Sequence, residues 1–372
     1  MPSVHDAIRR LRPSPSFGML VVVAALAASF AQAQPESAPP PGSVLAPPPA
    51  PTGLVVGLGS FFNPIVADLD AAVAFYRAIG LEVDGEPANA DANPQLRAIF
   101  GLPDARLRWQ IGPVPPQEGG VQIVEVTAAD GRRVARRIED PGSAMLTVFV
   151  RDVDATLARV MALGAPVVTR GGRPVTITAP DMRIVVVRDP AGNFVELGQP
   201  RIIRLPGTAN VVNVRVRHTV QDLESALALY RDALGLQGIN RLQGSSRVPP
   251  YVAYRPVQDA LGVGPDTIYR YAELVVPGSG RVIELIEFKD MRRHAERARV
   301  QDLSSTMIQL RVADVDAAAA AVVQAGGTFV STGGRPLDLP AGDSTLKAGI
   351  VRDPDDLFLM LIQAPPPVIP GE

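Results

Sequence analysis

A short signature, Val-x-Asp followed by an amphipathic stretch and then a glycine, occurs four times in this chain, and no other feature limits the possible folds so strongly. The copies are Val66-Ala67-Asp68 with Gly80, Val150-Arg151-Asp152 with Gly164, Val220-Gln221-Asp222 with Gly235, and Val312-Ala313-Asp314 with Gly326. Each aspartate stands where a helix would leave backbone N–H groups without partners, and each glycine where a left-handed residue would end it. Between these marks, Leu69, Val73, Tyr76 and Ile79 fall on one face at helical spacing, as do Leu223, Ala226, Leu227, Tyr230 and Leu234. Strand-like stretches follow: Val121 to Val126, Arg183 to Val187, Ile268 to Val276, Val282 to Ile286 and Phe358 to Ile362. Each unit therefore reads as strand, helix and then about three strands, in about 80 residues.

A longer repeat lies above this one. Asp189-Pro190 recurs as Asp353-Pro354, and Asp130-Gly131-Arg132-Arg133 as Asp290-Met291-Arg292-Arg293. Units 1 and 2 thus read as duplicated together into units 3 and 4, which predicts two halves, 53–203 and 204–364.

The ends do not belong to this pattern. Arg9, Arg10 and Arg12 precede an apolar run from Phe17 to Phe30 that ends at Ala31-Gln32-Ala33. That order predicts a secretory signal over 1–33, since the run is shorter than the roughly 20 residues a membrane-spanning helix needs. Residues 34–52 form a proline-rich linker with Pro39-Pro40-Pro41 and Pro47-Pro48-Pro49, and 365–372 a proline-rich tail. The expected location is periplasmic or secreted, with no stable membrane anchor after cleavage. A net charge of −2 argues against nucleic acid as a partner. The absence of cysteine excludes disulfides, thiolate metal sites and thiol nucleophiles.

Phe75-Tyr76-Arg77-Ala78-Ile79-Gly80-Leu81, Leu229-Tyr230-Arg231-Asp232-Ala233-Leu234-Gly235-Leu236 and Asp189-Pro190-Ala191-Gly192-Asn193-Phe194-Val195-Glu196-Leu197 resemble the vicinal oxygen chelate superfamily, which includes glyoxalase I, bleomycin-resistance proteins and extradiol dioxygenases. The resemblance runs from about Leu54 to Ala364. It implies an α+β fold of four βαβββ modules paired into two cup-shaped mixed sheets, each with a ligand inside. It also implies a metal on the cup floor, held from the first and last strand of each module. Counting back seven residues from each Val-x-Asp aspartate, and aligning the Val-Glu-Leu type endings, maps those positions onto Phe61, Glu125, Met145 and Glu196 in one half. In the other half they fall on Arg215, Glu284, Met307 and Met360. None is histidine, so the 2-His-1-carboxylate set of an extradiol dioxygenase has no counterpart.

Glu125 and Glu196 are the candidate catalytic and metal residues. Facing each other across the N-terminal cup, they would hold a hard ion such as Mn²⁺ or Mg²⁺ with water, or act as an acid–base pair; alternatively they are simply ion-paired. In the other half, strand alternation groups Arg215 with Arg217 and Met307 with Gln309 and Arg311. Around Glu284 these residues would form an anion-binding recess, or Arg215 would neutralise Glu284. His218 has the opposite parity and is expected to point into the helix layer, and His294 into solvent. Tyr251, Tyr254, Tyr269 and Tyr271 are either a stacking wall for a planar ligand or core. Three functions remain open: an exported binder of a small organic molecule, a Mn/Mg-dependent lyase or isomerase, and a non-catalytic platform for partners. One chain supplies four modules, so a monomer suffices to build both cups.

Overall fold

The computed structural model describes residues 53–363, apart from 92, 115–118, 129, 179–180, 203–207, 240–247, 290, 295 and 342–343. The predicted signal, linker and tail lie outside the described residues, as does Asp290.

All four repeats form the predicted unit. Module 1 comprises β1 (Val55–Leu58), β2 (Asn63–Val66), α1 (Leu69–Ile79), β3 (Ala88–Asn89), α2 (Pro94–Ile99), β4 (Arg106–Pro113) and β5 (Gly120–Thr127). Module 2 has β6 (Ala144–Val150), α3 (Val153–Ala162), β7 (Val175–Thr178), β8 (Asp181–Arg188) and β9 (Phe194–Pro200). Module 3 has β10 (Val211–Thr219), α4 (Leu223–Leu227), β11 (Gln237–Gly238), α5 (Arg255–Leu261), β12 (Ile268–Val275) and β13 (Val282–Lys289). Module 4 has β14 (Thr306–Val312), α6 (Val315–Gln324), β15 (Thr328–Phe329), β16 (Leu337–Ala341), β17 (Ser344–Arg352) and β18 (Phe358–Gln363).

The punctuation works as the residue types dictate. Asp68, Asp152, Asp222 and Asp314 each accept a hydrogen bond from the backbone N–H three residues on, at 2.9, 2.9, 2.8 and 3.0 Å. Gly80 closes α1 at φ 113°, a conformation that a residue with a Cβ reaches only under strain. One difference appears in module 3, where α4 continues as a π-helical turn over Ala228–Ala233. The apolar face survives it, because Leu223, Ala226, Leu227, Tyr230 and Leu234 are all buried.

Module pairing departs from the sequence expectation. One mixed sheet has the order β15-β17-β18-β14-β2-β5-β4-β3 and so joins modules 1 and 4, while the other, β11-β12-β13-β10-β6-β9-β8-β7, joins modules 2 and 3. Each cup therefore takes one module from each half of the sequence; Glu125 and Glu196 lie in different sheets and do not face each other. The halves of the duplication are held together behind the sheets instead. Helices α1 and α3 of modules 1 and 2 pack on each other. The Tyr76 hydroxyl donates to Asp189 at 3.1 Å and the Tyr230 hydroxyl to Asp353 at 2.6 Å. The motifs that carried the resemblance are thus ties between modules: buried Tyr–Asp hydrogen bonds that satisfy groups too costly to bury alone.

The seams of the two cups differ. In the second cup, β10 and β6 run antiparallel from Val211↔Val150 to His218↔Ala144. In the first, β14 meets β2 only at Thr306↔Pro64 and Met307↔Asn63, and β1 continues the pairing further along β14. Pro64 has no N–H to offer a ladder, which suits the interruption. A large apolar core lies between the convex sides of the sheets and the helices and draws on all four modules. Among the described residues, no helix is long and apolar enough to cross a membrane.

Candidate functional site

The parallel registers identify the residues on each cup floor. In the second cup Arg217 lies beside Glu284, and Thr147 beside Glu196. In the first cup, Phe62 bridges Val121 and Ile65 pairs with Val124, which puts Asn63 beside Gln122, while Gln309 lies beside Met360. These first-strand positions stand five residues before the capping aspartates, and not the seven counted from sequence. Phe61 consequently falls in the helix-side core, and Met145 and Met307 in apolar clusters.

Glu125 is displaced in the other direction. Whereas Val124 and Val126 face the hollow, Glu125 shares its face of β5 with Val121 and Ile123, which face the helices. There Glu125 stands opposite Arg108 and forms an ion pair at 3.4 Å. Its repeat partner is Glu287, opposite Arg270, which accepts from the Leu223 N–H at the start of α4 at 2.9 Å. The sequence alignment matched Glu125 to Glu284, three residues off, and the structural equivalent of Glu284 is Gln122.

Among the described residues, the first cup is packed with side chains. Ile65, Trp109, Val124, Met307, Leu346, Ile350 and Met360 are all buried within it, and α2 crosses its mouth to pack on β16. Its floor is a neutral amide network: Gln309 donates to Gln122 at 2.5 Å and to Asn63 at 3.3 Å, and Asn63 donates to the Met307 carbonyl at 2.7 Å. Gln309 and Arg311 belong here, Arg311 pairing with Gly57 of β1, and so do not join Arg215 and Arg217 around Glu284.

The second cup keeps a hollow of about 120 Å³. On its floor Arg217 is clamped between two carboxylates, donating to Glu284 and, at 3.2 Å, to Glu196. Glu196, 4% exposed, also accepts from the Thr147 hydroxyl at 3.1 Å. Burial works against the Arg217 charge, but the adjacent Glu284 and Glu196 outweigh it and raise its pKa above the ordinary guanidinium value. Arg215 does not neutralise Glu284; it pairs with Glu273 at 2.6 Å, and its guanidinium lies 5.2 Å from the Phe149 ring. Tyr254, Tyr269 and Tyr271 line the hollow with Phe149, Met182 and Ile184. Burial pushes the Tyr269 hydroxyl up to about 12, so it stays protonated at neutral pH. Tyr251 lies apart and bonds to Glu287.

His218 points away from both hollows, as its parity predicts. It is fully buried, with Nε2 3.0 Å from Asp353, and Asp355 lies close by. Burial lowers its pKa, but the Asp353 carboxylate more than offsets this and the net shift is upward. His294 is exposed.

Comparison with known proteins agrees with this architecture. Residues 61–197 match the family model described as "Glyoxalase-like domain", and residues 214–361 match "Glyoxalase/Bleomycin resistance protein/Dioxygenase superfamily". The chain is a tandem member of that superfamily. Glyoxalase I from Zea mays shares 17% identity at a TM-score of 0.50, over 84% of this chain and 92% of its own. A glyoxalase family protein from Bacillus cereus shares 22% identity at a TM-score of 0.33, over 38% of this chain and 91% of its own. At these identities the likeness is one of fold. No curated protein matches the sequence.

The metal that the superfamily implies does not fit either floor. Hard divalent ions need carboxylate oxygens, and softer ones need imidazole or thiolate. The first cup offers amides and a thioether. In the second, the two carboxylates already grip Arg217, a cation supplied by the chain itself, and a divalent ion there would meet like charge at short range.

Proposed function

We propose that this glyoxalase-like protein is exported and binds a small organic molecule in the second cup, between modules 2 and 3, without a metal. The observation that carries this reading is the contrast between hollows: one is packed with side chains, and the other keeps open space above a polar floor with aromatic walls. Small-molecule sites are typically such concave, largely apolar spaces with a few placed polar groups. The first cup then serves as scaffold, which confines the platform reading to that half of the molecule. A Mn/Mg-dependent lyase or isomerase would require Glu196 and Glu284 to release Arg217. Export is supported by the arginines, the apolar run and the Ala31-Gln32-Ala33 site.

Purified mature protein tests the reading. Elemental analysis after dialysis against Mn²⁺ should find no stoichiometric metal, and a small aromatic probe should shift the Met182 methyl resonance. Tight Mn²⁺ binding lost on Glu196→Gln would establish the metal-dependent alternative instead. N-terminal sequencing of the exported form should begin near Gln34.

A further inference from the structure

The charges around the second hollow identify what it accepts. Arg215 and Arg217 both line it, and among the described residues Glu196 and Glu284 share the single guanidinium of Arg217, so that cluster carries one net negative charge. Both guanidiniums are already engaged: Arg217 bridges Glu284 and Glu196, and Arg215 holds Glu273. An incoming anion would have to take an arginine from a carboxylate and leave that carboxylate uncompensated in a half-closed space, which is costly. An incoming cation removes the imbalance. Glu284 is engaged by Arg217 through Oε1. The walls favour the same choice, since Phe149, Tyr254, Tyr269 and Tyr271 present aromatic surface, and aromatic faces attract cations as well as flat apolar groups. Size sets the last limit. A dry cavity of about 150 Å³ holds one benzene ring, and this hollow is about 120 Å³.

We infer that the second cup selects a small, single-ring aromatic or heteroaromatic molecule carrying a positive charge, such as an amine or amidinium, held by the excess carboxylate charge of Glu284 and its neighbours. This inference rests on the second cup being the binding site. It also replaces the anion-binding recess expected from the sequence, which treated the arginines as unpaired.

Three probes of equal size separate the possibilities: benzylammonium, benzyl alcohol and benzoate, titrated into the mature protein by calorimetry at neutral pH, with Met182 and Ile184 methyl resonances reporting the place of binding. Benzylammonium should bind at least about tenfold more tightly than benzyl alcohol, and benzoate more weakly than both, as expected for one unscreened charge near a partly buried carboxylate. Glu284→Gln should remove most of the gap between the first two probes and leave benzyl alcohol within about twofold. Should that variant lose its fold by circular dichroism, Glu196→Gln, which leaves Arg217 with one carboxylate in the same way, provides the same comparison. Benzoate or benzyl alcohol binding as tightly as benzylammonium overturns the ligand class while leaving the site in place. A gap unchanged in a folded carboxamide variant overturns the assignment to these carboxylates. If no probe shifts Met182 or Ile184, the site itself is wrong and the inference falls with it.

Discussion

The two cups are built from the same module and differ in what fills them. Trp109 of β4 stands opposite Val124 in the first cup and is 4% exposed; Tyr271 of β12, its repeat partner, stands opposite Ile286 and is 42% exposed. Ile111 in the first cup answers to Glu273 in the second, Asn63 to Arg217, Gln122 to Glu284, and Met360 to Glu196. Apart from the seam and the π-helical turn of module 3, the order of strands, the aspartate caps and the crossing helices are alike. What changes is the set of inward-facing side chains, and with it one cup becomes a core and the other a site.

Exchanging the roles of equivalent residues tests this difference. Arg217→Ala should have the largest effect, a loss of about 3–5 kcal/mol in urea unfolding at pH 7, because it strands Glu196 and Glu284 together with little solvent. Added Mn²⁺ should restore part of that loss in the variant and do nothing for the unaltered protein. Trp109→Ala should cost about 3–5 kcal/mol by opening a cavity in the first cup, whereas Tyr271→Ala should cost less than about 1 kcal/mol because the ring is half exposed. Equal losses at these two positions would show that the second cup is as closed as the first.

A smaller effect concerns the joint between the cups, where His218 of one sheet meets the Asp353–Asp355 turn of the other. Burial raises Asp355 to about 6, against the pull of His218. Both groups hold their protons more tightly when folded than when unfolded. The Asp355 contribution is thus complete below the ordinary carboxylate range and lost as pH rises through about 6; that of His218 is complete below about 6.5 and lost as pH rises through its higher folded value. Stability should fall by about 1–3 kcal/mol between pH 5 and 8. Asp355→Asn should flatten the first part of that fall, and His218→Gln the second. One further effect should not distinguish the cups: Asp152→Ala and Asp314→Ala should each cost about 1 kcal/mol in thermal or urea unfolding, since both remove one helix cap.

The sites were less legible than the fold. Glu196, Arg215, Arg217 and Glu284 were all singled out from the sequence and all line the second hollow. Glu125, Gln309 and Arg311 were singled out with them and lie elsewhere. Asn63 and Gln122 were missed, although each sits five residues before a capping aspartate or one strand over from such a position, a spacing that Arg217 and Thr147 share. Side chains alternate along a strand, so an offset of three exchanges the hollow for the helix layer. Glu125 and Glu284 look equivalent beside similar apolar neighbours, and only the register of β2 on β5 and of β10 on β13 tells them apart.

From its residues alone, the chain determined four strand–helix–strand units, their aspartate and glycine boundaries, the buried helix faces, and the lack of histidine where the superfamily places metal ligands. These are local properties, decided by capping, periodicity and side-chain chemistry within a few residues. Tertiary structure decided that module 1 pairs with module 4 and module 2 with module 3, that Arg217 lies between Glu196 and Glu284, and that one hollow is full and the other open. Those outcomes depend on contacts between strands of different modules, from 21 residues apart for Arg217 and Glu196 to 244 for Asn63 and Met307, where similar modules offer similar edges and the fit of whole faces selects the partner.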